Sequence, residues 1–496
     1  MGFAPTEEQK RIFHFVKNRD ENLLINAYAG AGKTTTIVEA VKLIDNSKSI
    51  TFLAYNKHIQ EELKTKLPEH VRCYTTYGLG NAAIMRKYGD KIKLDEFKID
   101  KIINKKSKSW DLSGEFKTYE EIKDYQYELK KMVNLCRLTI TTKLDYMGYV
   151  ADRYEIRLSK NSDFKRVLKV LDEATTDRST FDFVDMVYLP AIDNSIWMFP
   201  QDYVFVDEIQ DINRCQVKII EKILKKDKLG KTIGRLIVIG DKMQNIYGFN
   251  GTGDKTFDYF ENYPNIKTLT LTYSFRCAKN IIKYANEIVP DIKALDTAPD
   301  GIVREGDVIN EVTNGDMVLC RTTMPLVKLF FNLIVDGKRA IIRGGDIGVN
   351  LIELIGDLKT TSNIIDHWEL ELEKYRQNLR KMGILNPNDH SGYVALEDKV
   401  TTLLFLAKLS KDAIDLKNKI TKIFSNDNGD GIILSTVHKA KGSESDRVFI
   451  IRPDLMPLPN SHGWQYGQEM NLKYVAVTRA RYELIIDKVF NEEDRK

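Results

Sequence analysis

The sequence lacks the long apolar runs that mark membrane proteins. None of its stretches approaches the roughly 18 uninterrupted apolar residues of a membrane-spanning helix. Its first ten residues, MGFAPTEEQK, also lack the apolar core of a secretory signal peptide. We therefore expect no membrane partner. The expected location is the cytoplasm, which for a phage protein is the host cytoplasm, or the nucleus for a eukaryotic protein.

Cysteine and histidine are scarce and scattered. The five cysteines are Cys73, Cys136, Cys215, Cys277 and Cys320. They include no C-x-x-C pair, and the seven histidines form no cluster. This distribution argues against a zinc site or a disulfide framework and is typical of reduced thiols in a reducing compartment.

A strong net charge of either sign is also missing. The formal charge of +4 is too mild to indicate a polyanionic partner by itself. Local clustering is more informative, because residues 91–110 carry seven lysines against three acids, interleaved with Phe97 and Trp110. Such a segment is typical either of a nucleic-acid surface or of a solvated helix face, and the sequence leaves both interpretations open.

The length and composition are those of a globular protein with several units. With 496 residues the chain exceeds a single core, and 43% hydrophobic and 29% charged residues are ordinary values. Buried-strand patterns such as ITFLA (50–54) and LIVIG (236–240) recur in both halves, with a helix-rich stretch from about 81 to 180 between them. The predicted fold class is α/β.

The most informative segment is a run of small residues ahead of a helical pattern. Residues 27–34 read AYAGAGKT and follow the apolar stretch Leu23–Ile25. In this context backbone N–H groups at a helix N-terminus can surround phosphates, while Lys33 reaches the β- and γ-phosphates and Thr34 ligates Mg²⁺. Ala27 replaces the first glycine of the strict pattern. An ordinary strand-to-helix turn is the alternative.

A second pattern supports the nucleotide interpretation. Residues 203–211 read YVFVDEIQD, a buried-strand pattern that ends in consecutive acids. Asp207 can hold the metal and Glu208 can activate the attacking water. Because two independent patterns coincide, we predict a nucleoside triphosphatase that uses ATP and Mg²⁺.

Polar and aromatic residues follow several of the predicted strands. The strand at 50–54 leads to Tyr55 and Asn56, that at 71–74 leads to Thr76 and Tyr77, and that at 236–240 leads to Gln244, Tyr247 and Phe249. Ligands bind at the carboxyl ends of parallel strands, where hydroxyls can contact a nucleic-acid backbone, rings can stack on bases and a glutamine can sense a γ-phosphate. Core packing is the alternative for the two rings.

Three further residues bear on the nucleotide. Gln9 lies at a helix start, where its amide can contact an adenine edge or can simply cap the helix. The second half has no phosphate loop of its own, yet Arg276 and Arg479 follow a strand pattern and a helix pattern. We expect both arginines to reach a γ-phosphate bound on the first half, in a cleft that closes and reopens once per ATP.

Seven segments of the chain resemble, in order, the motifs of superfamily 1 helicases of the UvrD/Rep type, especially those of the F-box DNA helicase branch. These segments read AYAGAGKT, FLAYNK, DEIQD, GDKMQNIYGFNG, YSFR, STVHKAKGSESD and YVAVTRAR. The resemblance implies two RecA-like parallel-sheet P-loop domains, each with a mostly helical insertion. It places domain 1A at 1–80 and 181–265, insertion 1B at 81–180, domain 2A at 266–345 and 429–496, and a short insertion 2B at 346–428.

The resemblance also implies roles for the matching residues. Those implied to bind the nucleotide are Gln9, Ala27, Ala29, Gly30, Ala31, Gly32, Lys33, Thr34, Thr35, Phe275, Arg276, Gly442, Glu444 and Arg479. Within the site, Gln9 and Phe275 would contact adenine, Thr34 and Asp207 would hold Mg²⁺, and Lys33, Glu208, Gln244, Arg276 and Arg479 would be catalytic. The implied DNA contacts are Tyr55, Asn56, Thr76, Tyr77, Tyr247, Phe249, Asn250 and His438.

The implied function is an ATP-dependent DNA helicase or translocase that moves 3′→5′ on single-stranded DNA. Its expected partners are single-stranded and 3′-tailed duplex DNA and replication or recombination proteins, with the chain acting as a monomer. There are two alternatives. The first is a protein with little unwinding activity, either a translocase that displaces bound proteins or a scaffold. The second is an RNA helicase. The sequence departs from the family pattern at Asn250, Met470 and Asn471, where arginines are common, and its insertion 2B is short. Both features put duplex processivity in doubt.

Overall fold

The strands of the chain form two main parallel sheets, each in a unit of its own. The computed structural model describes residues 4–89, 92–154, 156–158, 160–246, 248, 255–381, 384–425, 431–459 and 461–490. By its contacts the chain divides into a first unit, Met1–Ala27 with Gly32–Leu271, and a second unit, Tyr28–Ala31 with Thr272–Lys496.

The first unit contains eight described strands and twelve described α-helices. The strands are β1 (Asn22–Ala27), β2 (Ile50–Ala54), β3 (Arg72–Thr75), β4 (Lys93–Leu94), β5 (Thr180–Phe181), β6 (Tyr203–Val206), β7 (Arg235–Gly240) and β8 (Ile266–Leu271). The helices are α1 (Glu7–Asn18), α2 (Lys33–Val41), α3 (Lys57–Lys64), α4 (Thr76–Tyr88), α5 (Lys98–Ser107), α6 (Leu112–Glu115), α7 (Tyr119–Thr139), α8 (Leu144–Arg153), α9 (Asn161–Thr176), α10 (Asp185–Ile192), α11 (Arg214–Ile223) and α12 (Lys255–Glu261).

Six of these strands form one parallel sheet in the order β3-β2-β6-β7-β1-β8. Strands β2 and β7 are buried along their whole length, as expected for apolar strands covered on both faces. Because all six strands run the same way, the residues that follow β1, β6 and β7 emerge at one edge of the sheet. That edge carries the candidate site.

Strand β8 lies in the first sheet, where it pairs with β1 from Asn22–Ala27 to Ile266–Leu271. By its contacts the first unit runs to Leu271, six residues beyond the sequence-based boundary between residues 265 and 266, which stays a prediction. The strand is a partly exposed edge strand, and its alternating KTLTL pattern does not reveal which sheet it joins.

Helices α5–α9 lie within the segment expected to be helical. Their apolar side chains, among them Ile99, Leu129, Met132 and Phe164, share one core cluster with the sheet of the first unit. A buried ionic network also ties these helices together. Lys98 of α5 donates to Asp185 Oδ2 at 2.7 Å, and Arg137 of α7 donates to Asp185 Oδ1 at 2.9 Å and to Asp182 Oδ2 at 2.6 Å.

The described part of the lysine-rich segment, residues 92–110, is therefore not a uniformly solvated helix face. Lys98 is buried in the ionic network, and Lys105 and Lys106 each pair with Glu173. These pairings account for much of the local charge within the fold.

The second unit contains nine described strands and eight described α-helices. The strands are β9 (Tyr273–Ser274), β10 (Lys293–Ala294), β11 (Ile302–Glu305), β12 (Met317–Cys320), β13 (Ala340–Arg343), β14 (Phe424–Ser425), β15 (Ile432–Thr436), β16 (Ser445–Ile451) and β17 (Ala480–Asp487). The helices are α13 (Lys279–Ala285), α14 (Val308–Glu311), α15 (Met324–Val335), α16 (Gly345–Ile355), α17 (Thr361–Lys381), α18 (Ser391–Lys408), α19 (Ala413–Ile423) and α20 (Gly463–Val477).

Seven strands of this unit form a parallel sheet in the order β11-β17-β16-β12-β15-β13-β14. Helices α16–α19 occupy the second segment expected to be helical and pack on this unit's core through residues such as Leu351, Leu403 and Ile420. The predicted fold class is confirmed: the chain has two RecA-like parallel-sheet domains with helical insertions. Among the helices of the described residues, none combines the length and apolarity needed to cross a membrane.

We expect Arg137→Ala to destabilise the first unit strongly, because it leaves the buried carboxylates of Asp182 and Asp185 without their guanidinium partner. Breaking such a pair costs about 3–5 kcal/mol. For a domain of this size roughly 2–4 °C are lost per kcal/mol, so the melting temperature should fall by about 6–20 °C in a thermal unfolding scan. The control is Lys101→Ala, which removes the exposed pair with Asp95 and should leave the melting temperature unchanged. Equal melting of Arg137→Ala and wild type would contradict the stabilising role of the network.

Candidate active site

The loop between β1 and α2 has the backbone expected of a phosphate-binding loop. Gly30 and Gly32 have φ values of 72° and 73°, in the left-handed region that favours glycine. Gly32 is the N-cap of α2, and Lys33 is the first residue of that helix. Amide groups at such a helix start can donate to phosphate oxygens.

Strand β7 lies between the strand that precedes the loop and the strand that carries the acids. It ends at Gly240, which pairs with Asn26 of β1. A Cβ atom at Gly240 would lie 2.4 Å from Gln210 Oε1 and 2.8 Å from Ile209 Cγ1. Because glycine leaves this space open, the acids after β6 can approach Lys33 across the end of β7.

The centre of the site is an ion pair between the loop lysine and the second acid. Lys33 Nζ lies 3.0 Å from Glu208 Oε1 and 3.3 Å from Glu208 Oε2. Burial lowers the pKa of Lys33, but the carboxylates of Glu208, Asp241 and Asp207 outweigh burial and make the net shift upward. Lys33 is therefore a charged ammonium that faces several carboxylates.

Asp207 and Asp241 are buried beside this pair. Burial, reinforced by the negative charge of Glu208, raises the pKa of Asp207 to about 7 despite the attraction of Lys33. Burial likewise raises the pKa of Asp241. Three carboxylates thus share one ammonium, and this excess of negative charge favours the arrival of a cation.

The donor chemistry of the site suits Mg²⁺. Asp207 offers carboxylate oxygens, and Thr34, next to Lys33, offers a hydroxyl. Mg²⁺ in nucleotide sites takes one or two such protein ligands together with phosphate oxygens and water, and it neutralises charge on the phosphates. Among the described residues no cluster of three or more His, Cys, Asp or Glu side chains is arranged to hold a metal.

Glu208 is held in an uncommon backbone conformation. Its φ is 52°, and its amide donates to Asp207 Oδ1 at 2.9 Å. Gln210 Nε2 donates to Glu208 Oε2, while Gln210 Oε1 accepts from the Asp241 amide at 3.1 Å. Gln210 therefore holds the Glu208 carboxylate and the Asp241 backbone, a role that sequence reasoning missed although the residue stands within the DEIQD text.

Gln244 lies on the same edge of the sheet, as predicted from its place after β7. Its Nε2 donates to Asp241 Oδ2 at 2.7 Å, and Asp241 Oδ1 accepts from the Met243 amide at 3.0 Å. The structure thus brings Gln244 into the network of acids around Lys33.

Gln9 caps helix α1 and also contacts helix α2, which follows the loop. Its Oε1 accepts from the Thr6 amide at 3.0 Å, completing a capping box, and its Nε2 donates to Thr36 Oγ1 at 2.9 Å. An amide side chain has two donor hydrogens and two acceptor lone pairs. These two bonds use one of each, so one donor and one acceptor remain, as an adenine edge requires. The two interpretations of Gln9 are compatible.

In the second unit, Glu444 joins two arginines. Its Oε2 accepts from Arg276 Nε, and its Oε1 accepts from Arg481 Nε at 3.0 Å. Burial raises the pKa of Glu444, but the charges of Arg276 and Arg481 outweigh burial and lower it. Arg481 was not among the predicted site residues.

Arg479 is buried and bound to the backbone of its own unit. Its Nε donates to Val475 O at 2.9 Å, and its Nη1 donates to Ser443 O at 3.1 Å. Burial and then repulsion from Arg276 lower the pKa of Arg479. Arg276 in turn donates to Thr478 O at 3.2 Å, so the two predicted arginines lie close together.

Several other predicted nucleotide residues group with the second unit by their contacts. The Gly30 carbonyl accepts from the Phe275 amide at 2.8 Å, and the Ala29 amide donates to Tyr474 Oη at 2.9 Å. Phe275 as a whole residue remains 47% exposed. Gly442 has a φ of 83°, which fits a tight turn ahead of Glu444. The roles assigned to these residues stay predictions.

The predicted DNA contacts of the first unit differ in accessibility. Tyr55 and Asn56 follow β2 directly, and Asn56 Oδ1 caps α3 by accepting from the Ile59 amide at 2.9 Å. Thr76 is buried, and its hydroxyl accepts from Gln216 Nε2 at 3.3 Å, an environment that does not favour a DNA contact. Tyr77 stacks on Phe183 with ring centroids 4.6 Å apart.

His438 is neutral at physiological pH. Burial, with repulsion from Arg321 and Lys439, lowers its pKa to about 3. Any DNA contact it makes would use a neutral ring. Tyr247, Phe249 and Asn250 lie outside the described residues.

Comparison with known proteins matches two family descriptions: UvrD/REP helicase N-terminal domain over residues 6–265 and UvrD-like helicase C-terminal domain over residues 349–490. F-box DNA helicase protein 1 of Schizosaccharomyces pombe is 26% identical across 97% of this chain and 57% of its own length. F-box DNA helicase 1 of Gallus gallus is 26% identical across 97% of this chain and 49% of its own length. ATP-dependent DNA helicase Rep of Buchnera aphidicola is 26% identical across 57% of this chain and 42% of its own length.

The chain therefore spans about half the length of the F-box DNA helicases that it matches. The resemblance to UvrD/Rep-type helicases that the motif texts indicate is confirmed.

We expect Asp207→Asn to stabilise the nucleotide-free protein. Because burial raises the carboxyl pKa to about 7, ionised Asp207 costs folding free energy at pH 8, whereas at pH 5 the group is already protonated. The amide should therefore raise stability at pH 8, by about 0.5–2 kcal/mol, and much less at pH 5. The measurement is thermal unfolding in EDTA at both pH values.

The control for this substitution is Asp202→Asn, just ahead of β6. Burial raises the pKa of Asp202, but hydrogen bonds from Lys225 and Ser49 outweigh burial and lower the pKa to about 2. Its ionised form is thus stabilising, and the substitution should lower the melting temperature equally at pH 5 and pH 8. A destabilised Asp207→Asn protein at pH 8 would contradict the charge strain inferred here.

Proposed function

The chain belongs to the UvrD/REP helicase family, and from this premise and the geometry of the site we propose that it is an ATP-dependent DNA helicase or translocase. The observation that carries the proposal is the partly buried pair of Lys33 and Glu208, set at the start of α2 beside the buried carboxylates of Asp207 and Asp241. A lysine at a helix N-terminus binds phosphate, and an adjacent ordered carboxylate can activate water.

ATP binding would exchange the partner of Lys33. The β- and γ-phosphates would take the ammonium from Glu208, since phosphate oxygens can approach both Lys33 and the loop amides. Glu208 would keep its hydrogen bond from Gln210 and would then be positioned to orient the attacking water. Mg²⁺, held by Asp207 and Thr34, would neutralise the charge that develops on the phosphates.

The arginines of the second unit would supply the remaining positive charge. Arg276 and Arg479 lie near one another, and their mutual repulsion is relieved in part by Glu444. A γ-phosphate would be a second anion for this cationic pair, which supports the role of arginine fingers proposed for them. Phosphate release would remove that anion and let the arginines relax, which gives a cycle of binding and release suited to movement.

We propose single-stranded and 3′-tailed duplex DNA as substrates, with 3′→5′ movement by a monomer. The names of the relatives support DNA as the substrate class. We assign domain 1A with insertion 1B to the first unit and domain 2A with insertion 2B to the second. The accessible residues after β2, Tyr55 and Asn56, and the neutral ring of His438 are the proposed strand contacts.

Two substitutions test the nucleotide chemistry. Glu208→Gln should retain DNA and ATP binding but lower kcat for DNA-stimulated ATP hydrolysis by about 10²–10⁴-fold, because it removes the carboxylate that acts on water. Lys33→Ala should lose ATP binding itself, measured with a fluorescent nucleotide, because the phosphates lose their ammonium. The control is Lys42→Ala, an exposed lysine at the end of α2 that should hydrolyse ATP like wild type. Robust turnover by Glu208→Gln would refute the assignment.

A second experiment tests the substrate and the direction of movement. The full chain with ATP should displace streptavidin from a biotin at the 5′ end of single-stranded DNA and leave a 3′-end biotin occupied, because a 3′→5′ motor runs towards the 5′ end. Displacement from the 3′ end alone would reverse the proposed polarity. Equal, ATP-independent loss from both ends would argue against a motor.

A further inference from the structure

A small cleft lies at the amino ends of strands β2, β3 and β6 in the first unit. It has a volume of about 100 Å³ and is lined by the edge strand β3, by α4 and by residues of the segment 198–201, which leads into β6. Among the described residues that line it, only Arg72 and Arg86 are charged. The cleft is therefore uncharged apart from two guanidinium groups.

The cleft lies at the opposite edge of the sheet from the candidate active site. Arg72 is the first residue of β3 and Phe199 precedes β6, whereas the nucleotide residues follow the carboxyl ends of β1, β6 and β7. Helix α4 begins directly after β3, and Arg86 lies in its last turn. Because β2 has five residues, at about 3.3 Å each, the two edges of the sheet are roughly 15 Å apart. A ligand in the cleft would leave the nucleotide residues free.

Two arginines that line the cleft share one aromatic ring. The guanidinium carbon of Arg86 lies 4.5 Å from the centroid of the Phe199 ring, and that of Arg72 lies 5.8 Å from it. Trp197 packs on the same ring in a T-shaped arrangement, with centroids 4.4 Å apart. Trp197 and Phe199 are nevertheless 53% and 46% exposed. Tryptophan and arginine are enriched among the residues that dominate binding energy at protein interfaces.

The segment that carries the rings is fixed by hydrogen bonds. Arg86 Nη1 donates to Trp197 O at 3.3 Å, and Gln201 Nε2 donates to Phe199 O at 3.0 Å. The Gln201 amide also donates to Ile223 O at 2.7 Å, which ties the segment to the end of α11. Because these rings are ordered before a partner arrives, binding would lose little conformational entropy.

The two guanidinium groups have no acidic counterpart of their own. Among the described residues, neither is ion-paired with a carboxylate. The carboxylates nearest in sequence to the exposed rings are engaged elsewhere, since Asp193 pairs with Lys87 and Asp202 pairs with Lys225. A guanidinium stacked on a ring keeps its in-plane N–H groups available, and these match the two oxygens of a carboxylate. The surface is thus complementary in charge to an acidic partner.

A partner would bind this surface through its side chains rather than as an added strand. Strand β3 is at the edge of its sheet, but Gln60 of α3 already donates from Nε2 to Cys73 O at 2.7 Å. An edge covered in this way does not favour strand addition. A cavity of about 150 Å³ accommodates a benzene ring, so the smaller cleft beside β3 suits the end of one aliphatic side chain.

We propose that Arg72, Arg86, Trp197 and Phe199 form a docking surface for an acidic peptide segment of a partner protein. Carboxylates of the segment pair with the two arginines, and an apolar side chain enters the cleft beside the rings. A peptide fits better than a nucleic-acid strand, because two guanidinium groups and Trp197 already surround the ring on which a base would stack. The inference does not depend on ATP hydrolysis.

Binding of a labelled peptide by the full chain tests the charges. The probe is a fluorescein-labelled synthetic peptide in which aspartate alternates with leucine and phenylalanine, measured by fluorescence polarisation at about 0.1 M salt. We expect saturable binding. Arg72→Gln combined with Arg86→Gln should raise Kd about tenfold or more, because the carboxylates lose both charged donors. The same peptide with asparagine in place of aspartate should bind the wild-type chain as weakly.

The matched control for the charges is Arg11→Gln combined with Arg19→Gln. These arginines are exposed, one within α1 and one just after it. The control should keep the wild-type Kd. Failure of the wild-type chain to bind the aspartate peptide, or equal binding of the aspartate and asparagine peptides, overturns the proposal.

Substitution of the rings tests the apolar contact. Trp197→Ala combined with Phe199→Ala should raise Kd about tenfold or more, and Trp197→Phe combined with Phe199→Tyr should retain most of the binding, because the contact needs the rings. Cooperative thermal unfolding checks that these variants are folded. Alanine substitutions that leave Kd unchanged would overturn the proposal.

Competition distinguishes the class of partner. Neither oligo-dT nor poly-glutamate should displace the labelled peptide as well as the unlabelled peptide does, because neither supplies an apolar side chain. If oligo-dT competes equally, the surface binds nucleic acid, and if poly-glutamate competes equally, it binds any polyanion; either result overturns the proposal. A wild-type chain that binds the peptide but does not hydrolyse ATP overturns the proposed function and leaves this inference standing.

Discussion

The interaction on which the site depends is the pair of Lys33 and Glu208 among buried carboxylates. Without nucleotide, the ammonium is shared by Glu208, Asp207 and Asp241, and burial raises the pKa of both aspartates. The arrangement carries more negative than positive charge, so it is strained until a cation and phosphates arrive. This strain is a physical reason why the proposed site would bind a metal and a triphosphate together.

The sheet makes this concentration of charge possible. Strands β1, β7 and β6 are adjacent and parallel, so the loop, Asp241 and the acidic pair all emerge at one edge. The end of β7 is Gly240, where a side chain would meet Gln210. Gln210 then bonds to Glu208 and to the Asp241 amide, which fixes the acids relative to each other. Backbone topology and one glycine thus bring together residues far apart in sequence.

The sequence predicts the parts of this site whose chemistry is local. The loop glycines, Lys33 and the consecutive acids are recognisable because phosphate binding constrains their spacing. What was missed depends on contacts distant in sequence: the bridging role of Gln210, the pairing of Arg481 with Glu444, and the place of β8 in the first sheet. Lys98 illustrates the same limit, because a lysine in a basic run looks solvated until Asp185 is brought beside it by folding.

The second unit shows a related use of charge with the sign reversed. Arg276, Arg479 and Arg481 gather around Glu444, and burial together with Arg276 lowers the pKa of Arg479. Glu444 and Asp446, which also pairs with Arg481, are two carboxylates against three guanidinium groups, so this cluster retains an affinity for anions. The first unit thus has an excess of carboxylates around Lys33, and the second unit has an excess of guanidinium groups around Glu444.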